Sequence, residues 1–364
     1  MALVDVFNST PVIPTASLVG IDQGFGTFKI NSGDINIRFP SVVGTPISEF
    51  SKDMAISSFD ELLNSLTIIY NGTTYYIGHN AIINTRNGKI SLRQNKAEDE
   101  QNKVKTMTAL ALLTNENQHE AEFDIIAGLP VLEYRNQKDK LYNLFYNNGL
   151  PFDFIMKYGN VEVFKRIKCN NIRILSQGEG SFYSYILSSE GKIINERSAD
   201  VEGLVMIADI GYKTTDVVSM ENGRYIEISS DQINTGVSQV HQEVLRLIME
   251  KFNIKKELKE IDKIVRTKEL FYSTKTYDMK PIIKEASEPF AENIIETLYT
   301  INNGELGNVS MILLTGGGAE IVYEYIRENL KDVVRVEKLY NSEFSNAQGY
   351  FKYGQLLKNQ GYFC

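Results

Sequence analysis

Ile21-Asp22-Gln23-Gly24-Phe25-Gly26-Thr27 and Ala208-Asp209-Ile210-Gly211-Tyr212-Lys213-Thr214 share one pattern, Asp-x-Gly-aromatic-x-Thr, set 187 positions apart in a chain of 364 residues. Apolar residues lead into each copy over 18–22 and 204–208, and a second apolar run follows over 27–30 and 215–220. Each copy therefore predicts the turn of a β-hairpin. A spacing of half the chain is too long for a solenoid period and predicts two similar domains, each opening on a hairpin of the same design. An Asp at a strand end, then a glycine turn and a hydroxyl, offers backbone N–H groups to a phosphate, while the carboxylate can hold a hydrated Mg²⁺. One such turn is also an ordinary Asp-x-Gly turn. The duplication favours the phosphate reading, because two such loops could grip a polyphosphate together.

A third element is Leu313-Leu314-Thr315-Gly316-Gly317-Gly318-Ala319, an apolar strand entering a helix through three glycines. Backbone without side chains at a helix N-terminus lets a ligand approach the orphan amides there. A glycine triplet standing alone would be read as a flexible turn; its place between a strand and a helix favours the ligand.

Around these elements strand and helix signals alternate. After a third strand at 35–39, the stretch from 44 to about 102 is polar and hairpin-rich, with Asn71-Gly72 between Ile68-Ile69-Tyr70 and the run 73–77. Asn-Gly between two such runs is a strong signal for a two-residue β-turn. A helix at 104–113, a strand at 123–127, a helix at 133–146, strands within 152–175 and a helix at 181–187 follow. The second cluster adds a strand at 224–228 across Asn222-Gly223. Helices at 238–252, 256–266 and 281–301 come next. The chain closes with a strand at 309–315, a helix to 330, a strand at 332–336 and a helix at 344–357. This alternation predicts an α/β fold.

Composition narrows the function. With 43% hydrophobic and 23% charged residues and a net charge of −8, the surface is that of a soluble protein rather than a nucleic-acid footprint. Association with DNA is expected only through a partner. The two cysteines, Cys169 and Cys364, lack metal-ligand or redox spacing, which fits a reducing cytoplasm. Residues 1–15 lack the basic and apolar regions of a signal peptide and are read as an extension. No apolar run long enough to span a membrane is seen. His79, His119 and His241 fall in different elements, which disfavours a histidine metal site or a Ser-His-Asp triad; they are expected as surface histidines.

Five stretches in order resemble the actin superfamily, and the resemblance covers nearly the whole chain from Ser17 onwards. GIDQGFGTFKI and ADIGYKTTDVV look like its two phosphate loops, LLTGGGAE its adenosine loop, and LSQGEGSFYSYI and SNAQGYFKYGQLL its two connecting helices. AGLPVLEY, YYIGHNAI and NTGVSQVHQEV are similar more narrowly to bacterial plasmid-segregation actins of the ParM/StbA type and their archaeal relatives. The resemblance implies a duplicated, ribonuclease H-like, actin-like α/β ATPase with a nucleotide cleft between two domains. The implied first domain is 16–43, 103–187 and 345–364 with 44–102 inserted; the second is 188–240 and 286–344 with 241–285 inserted.

Carried over by position, the resemblance implies that Asp22 and Asp209 hold Mg²⁺ through water. Gly24, Gly26, Thr27, Gly211, Lys213, Thr214 and Thr215 would line the phosphates of ATP or ADP, and Gly316, Gly317 and Gly318 would contact ribose and base. Lys29 is open between pairing with a phosphate and simple solvation. Gln177 matches the residue that aligns the attacking water, although Ser176 replaces the usual proline, and Glu179 is the competing candidate; either could serve a phosphoryl transfer. GTP stays open as the nucleotide.

The implied activity is ATP-driven polymerisation with depolymerisation after hydrolysis, coupled to plasmid DNA by a DNA-binding adaptor of the ParR type. The expected partners are other copies of the chain and that adaptor, with no membrane. A small-molecule kinase on the same fold needs a general base for its substrate, and no separate substrate motif is present. A chaperone-like ATPase and a non-hydrolysing scaffold complete the alternatives.

Overall fold

The computed structural model describes residues 17–363 apart from 25, 47–55, 57, 86–88 and 91–99. The expected extension 1–15, the aromatic Phe25 of the first motif and Cys364 lie outside the described residues. The chain divides into two compact units. One runs to Ser176 and takes in Leu187–Lys192 and the residues from Asn346 on; the other comprises Gln177–Ile186 and Ile193–Ser345.

The first unit carries a ten-stranded sheet. Its strands are β1 (Ser17–Gln23), β2 (Thr27–Ser32), β3 (Ile35–Pro40), β4 (Val42–Gly44), β5 (Thr67–Tyr70), β6 (Thr73–Ile77), β7 (Lys89–Ile90), β8 (Glu120–Leu129), β9 (Phe152–Tyr158) and β10 (Val161–Ser176). They lie in the order β3-β2-β1-β8-β10-β9-β5-β6-β4-β7. β1, β2 and β3 form an antiparallel meander, and β1, β8 and β10 run parallel. β1 is buried along its whole length, as a strand covered on both faces must be. The stretch expected as an insertion extends this sheet, because β5 pairs antiparallel with β9. Asn71 and Gly72 both have positive φ, 48° and 74°, the two-residue turn that their sequence predicts.

The second unit carries β11 (Leu204–Ile210), β12 (Thr215–Glu221), β13 (Arg224–Ile233), the separate hairpin β14 (Glu269–Tyr272) and β15 (Lys275–Asp278), then β16 (Met311–Thr315) and β17 (Val336–Lys338). Its main sheet is ordered β13-β12-β11-β16-β17. β13, β12 and β11 again form an antiparallel meander, and β11, β16 and β17 run parallel. This is the order of β3, β2, β1, β8 and β10. The duplication first visible as two six-residue motifs is therefore a duplication of sheet topology.

Each unit has its own core. One gathers Val19, Ile21, Phe28, Ile125 and Phe152; the other gathers Met206, Ala208, Val244, Ile294 and Leu314. The helix Glu179–Ile186, expected in the first domain with 103–187, sorts with the second unit. A buried hydroxyl cluster accounts for this: Ser181 Oγ lies 2.9 Å from both Thr315 Oγ1 and Ser345 Oγ.

Three local features differ from expectation. The last strand begins at Val336 instead of 332, because the amides of Val333 and Val334 bond back to the Leu330 carbonyl and prolong the preceding helix end. The hairpin β14–β15 carries no Asn-Gly or Asp-Gly signal; its turn places Ser273 at φ 57°. The short helix Phe59–Asn64 is fixed by Ser58, whose hydroxyl accepts from the Glu61 amide at 3.2 Å. No helix of the described residues is long and apolar enough to cross a membrane.

Candidate functional site

In the first unit, the motif is the turn between β1 and β2. Asp22 is buried near the end of β1, opposite Lys29, and Lys29 Nζ donates to Asp22 Oδ2 at 3.2 Å. Lys29 is thus no solvated strand lysine; its side chain is only 13% exposed. Gly24, Gly26 and Thr27 are half-buried. A Cβ on Gly24 would stand 2.6 Å from the Thr27 carbonyl oxygen, whereas the side of Gly26 where a Cβ would project is open for 4 Å. The loop is narrow at Gly24 and accessible at Gly26.

In the second unit, the motif joins β11 to β12. The Gly211 amide donates to the Thr214 carbonyl at 2.9 Å and closes the turn. The amides of Val237 and Ser238, at the start of the helix Val237–Phe252, donate to the carbonyls of Gly211 and Tyr212 at 3.1 and 2.9 Å. Two orphan donors of that helix are thereby used to hold the loop. Gly211, Lys213 and Thr214 are half-buried. Thr215 differs from the others: it is fully buried and its Oγ1 donates to the Thr235 carbonyl at 2.9 Å, so its hydroxyl braces the hairpin from within.

Asp209 is buried near the end of β11, opposite Asp216 of β12 and in parallel register with Thr315 of β16. Directly opposed residues share one face of a sheet. The two hairpins therefore differ at equivalent places, since the residue seven after Asp22 is Lys29 and the residue seven after Asp209 is Asp216. The first aspartate faces a cation across the hairpin, and the second faces another carboxylate. Setting the two motifs in register and reading seven residues on would have found Asp216.

The three glycines after β16 have three different environments. Gly316 has φ 79°, and a Cβ there would stand 2.5 Å from both Asp209 Oδ1 and the Ile210 carbonyl oxygen. Gly318 is packed on Ile210 and Val237, and its amide donates to the Ile210 carbonyl at 3.0 Å. Only Gly317 is exposed, with nothing within 4 Å of its Cβ position. Two of the glycines exist to let the turn touch β11, and one leaves backbone open.

Gln177 follows Ser176, the last residue of β10, and is half-buried; Glu179 is 6% exposed. Between them Gly178, at φ 97°, lies 2.8 Å by its Cβ position from Val218 Cγ2 of β12. The structure thus brings the Gln177 segment against the second hairpin. His241, expected at the surface, is instead 2% exposed, and its ring meets Tyr212 of the second loop edge-on at 5.8 Å between centroids. Burial pushes its pKa down, so it is neutral at pH 7. A histidine at helical spacing among Val237, Val240 and Val244 was the signal for that burial. His79 and His119 are exposed, as expected.

Two sheets of one topology, each with a buried aspartate at the same place in its first hairpin, and a glycine turn against the second, define an actin-like α/β fold. Two family models match the chain, and both describe actin homologues. Residues 20–180 match the family described as actin like proteins N terminal domain, and residues 207–328 match archaeal actin homologue MreB-like, C-terminal. Among solved structures it is similar to actin-like protein Alp7A (15% identity, 95% of this chain and 98% of that one, TM-score 0.77). It is likewise similar to a 15-stranded ParM filament from Clostridium botulinum (22%, 94% and 99%, 0.71) and to Bacillus thuringiensis ParM with ATP (17%, 95% and 100%, 0.69). No curated protein matches the sequence.

Proposed function

We propose that this chain is a Mg²⁺-dependent ATP hydrolase that assembles into filaments with nucleotide bound and disassembles after hydrolysis. The observation that carries the reading is the pair of topologically equivalent hairpins, each with a buried aspartate before an accessible glycine loop. Similar structures support it, one being a filament and another a protein with ATP.

Within this reading the amides of Gly24, Gly26 and Thr27, and those of Gly211, Lys213 and Thr214, receive phosphate oxygens, and the Lys213 side chain adds charge. Gly316, Gly317 and Gly318 form the adenosine turn, with Gly317 the one whose backbone can lie against the ligand. Carboxylate oxygens are the hard donors that Mg²⁺ takes. Asp209 fits that ion better than Asp22, because Asp22 already faces the Lys29 ammonium. Bound there, Mg²⁺ would neutralise charge on the phosphate oxygens. Gln177, more accessible than Glu179, aligns the attacking water.

The cellular role that fits is segregation of plasmid DNA in the cytoplasm through a DNA-binding adaptor. A chain with net charge −8 has little means of holding DNA by itself. Electron microscopy and sedimentation of the purified chain with ATP, ADP and a non-hydrolysable analogue, alongside phosphate release, test the proposal. Filaments with ATP that shrink as phosphate appears are the expected result. Steady ATP turnover with no assembly at any salt or Mg²⁺ concentration would leave an ordinary ATPase in its place.

A further inference from the structure

Two lysines are withdrawn from solvent among the described residues, Lys105 at 4% and Lys165 at 0% exposure. Burying an ammonium is costly, so each calls for a reason. Lys165 has a local one: its Nζ donates to the carbonyls of Asn115 and Gln118 at 2.6 and 2.9 Å and ties that turn to β10. Lys105 reaches a different place. It sits in the helix Glu100–Ala111, and its Nζ donates to Ser41 Oγ at 2.9 Å. Ser41 is buried too, and its backbone amide donates to the Gly26 carbonyl at 3.0 Å.

Gly26 is the accessible glycine of the first hairpin loop, beside Thr27. The chain therefore carries a positive charge through its interior to a residue one hydrogen bond from that loop. The loop's nearer cation, Lys29, is paired with Asp22 at 3.2 Å. Lys105 adds charge from behind, and Ser41 turns that contact into a fixed position for the Gly26 carbonyl. Fixing the carbonyl also fixes the peptide plane whose N–H belongs to Thr27.

We infer that Lys105, acting through Ser41, is a positioning residue of the first phosphate loop and favours nucleotides in proportion to their phosphate charge. This rests on the reading that the chain binds a nucleotide through that loop. A role in folding alone would weaken ATP and adenosine binding equally, or neither. A role in aiming and charging the loop separates them.

The test is titration of the full chain, with Mg²⁺, against ATP and against adenosine, for wild type, Lys105→Met, Ser41→Ala and Ser41→Thr. Lys105→Met should lose about tenfold or more in ATP affinity while adenosine binding stays within about twofold. Ser41→Ala should lose about threefold or more for ATP alone, and Ser41→Thr, which keeps the hydroxyl, should restore the wild-type ratio. If Lys105→Met does not fold, the two Ser41 variants decide. A wild-type chain that binds neither ligand overturns the nucleotide reading beneath the inference. A wild type that binds ATP, with variants that keep its ATP-to-adenosine ratio, overturns the role of Lys105 alone.

Discussion

Gly316 lies against Asp209 so closely that a Cβ on the glycine would stand 2.5 Å from the carboxylate oxygen Oδ1. The turn after β16 and the aspartate near the end of β11 are thus one packed unit, although 107 positions separate them in the chain. Strand pairing explains it: Asp209 and Thr315 are partners in the parallel register of β11 and β16, so the next residue after Thr315 must turn across the end of β11.

Gly316→Ala should therefore destabilise the protein by about 1–3 kcal/mol, since it combines a positive φ with a contact no side chain can satisfy. Gly317→Ala should change stability by no more than about 0.5 kcal/mol, because its Cβ position is open. Urea unfolding of the two variants measures the contrast. Equal losses would mean that the turn tolerates a side chain at Gly316 by moving.

Removing the cation from the first hairpin should be costly even without ligand. Lys29→Met leaves the Asp22 carboxylate, with a side chain 3% exposed, without the ammonium 3.2 Å away. Breaking a buried pair from one side costs about 3 kcal/mol or more. Chemical denaturation of the nucleotide-free variant reads this directly, and a loss under about 1 kcal/mol would assign the carboxylate's support to its other neighbours.

The two aspartates should not be equivalent in turnover. Asp209→Ala is expected to lower the rate of phosphate release by about a hundredfold or more while adenosine binding persists. Asp22→Ala should cost more in stability, because it removes the carboxylate 3.2 Å from the Lys29 ammonium. An Asp209→Ala rate within a few-fold of wild type would move the catalytic assignment elsewhere.

Thr315 ties three chain segments at one point. Its hydroxyl meets Ser181 Oγ at 2.9 Å and also contacts Ser345 Oγ, and all three side chains are buried. Thr315→Val keeps the shape and removes the hydroxyl, so the serines lose a partner where water cannot replace it. A loss of about 1–3 kcal/mol in thermal or chemical unfolding is expected. A neutral substitution would show that Ser181 and Ser345 satisfy one another.

Lys165 makes stability depend on alkaline pH. Burial pushes its ammonium down to about 8 from the ordinary 10.5. Between those values the unfolded chain holds more protons at this position than the folded one, so the free energy of unfolding rises with pH across the window. Comparing wild type with Lys165→Met by urea unfolding at pH about 8 and about 10 isolates the effect, because other groups titrate alike in both. The difference should move in favour of wild type as pH rises. A constant difference would place the lysine's pKa outside that window.

The repeated motif was legible in the sequence because its chemistry is local: an aspartate, a glycine turn and a threonine need only neighbouring residues to form a hairpin loop. The Asn71-Gly72 turn and the helices with apolar residues at three- and four-residue spacing were legible for the same reason. The β14–β15 hairpin was not, since Ser273 takes a positive φ in its turn where glycine or asparagine is usual. The spacing of Val237, Val240 and Val244 did carry the burial of His241, whereas its edge-on contact with Tyr212 left no trace in the sequence.

The sequence by itself determined the duplicated design and the α/β class and proposed the residues for a phosphate, all from periodicity and short turns. Only the tertiary structure decided what each residue does there. It gave Asp22 a cation and Asp209 a second carboxylate, turned Gly316 and Gly318 into packing surfaces while leaving Gly317 open, and sank Thr215 beneath its loop. The aspartate assignments follow from register within each hairpin and the glycine assignments from a turn that meets β11 more than 100 positions earlier in the chain, and a linear pattern carries no record of which distant partner will stand opposite.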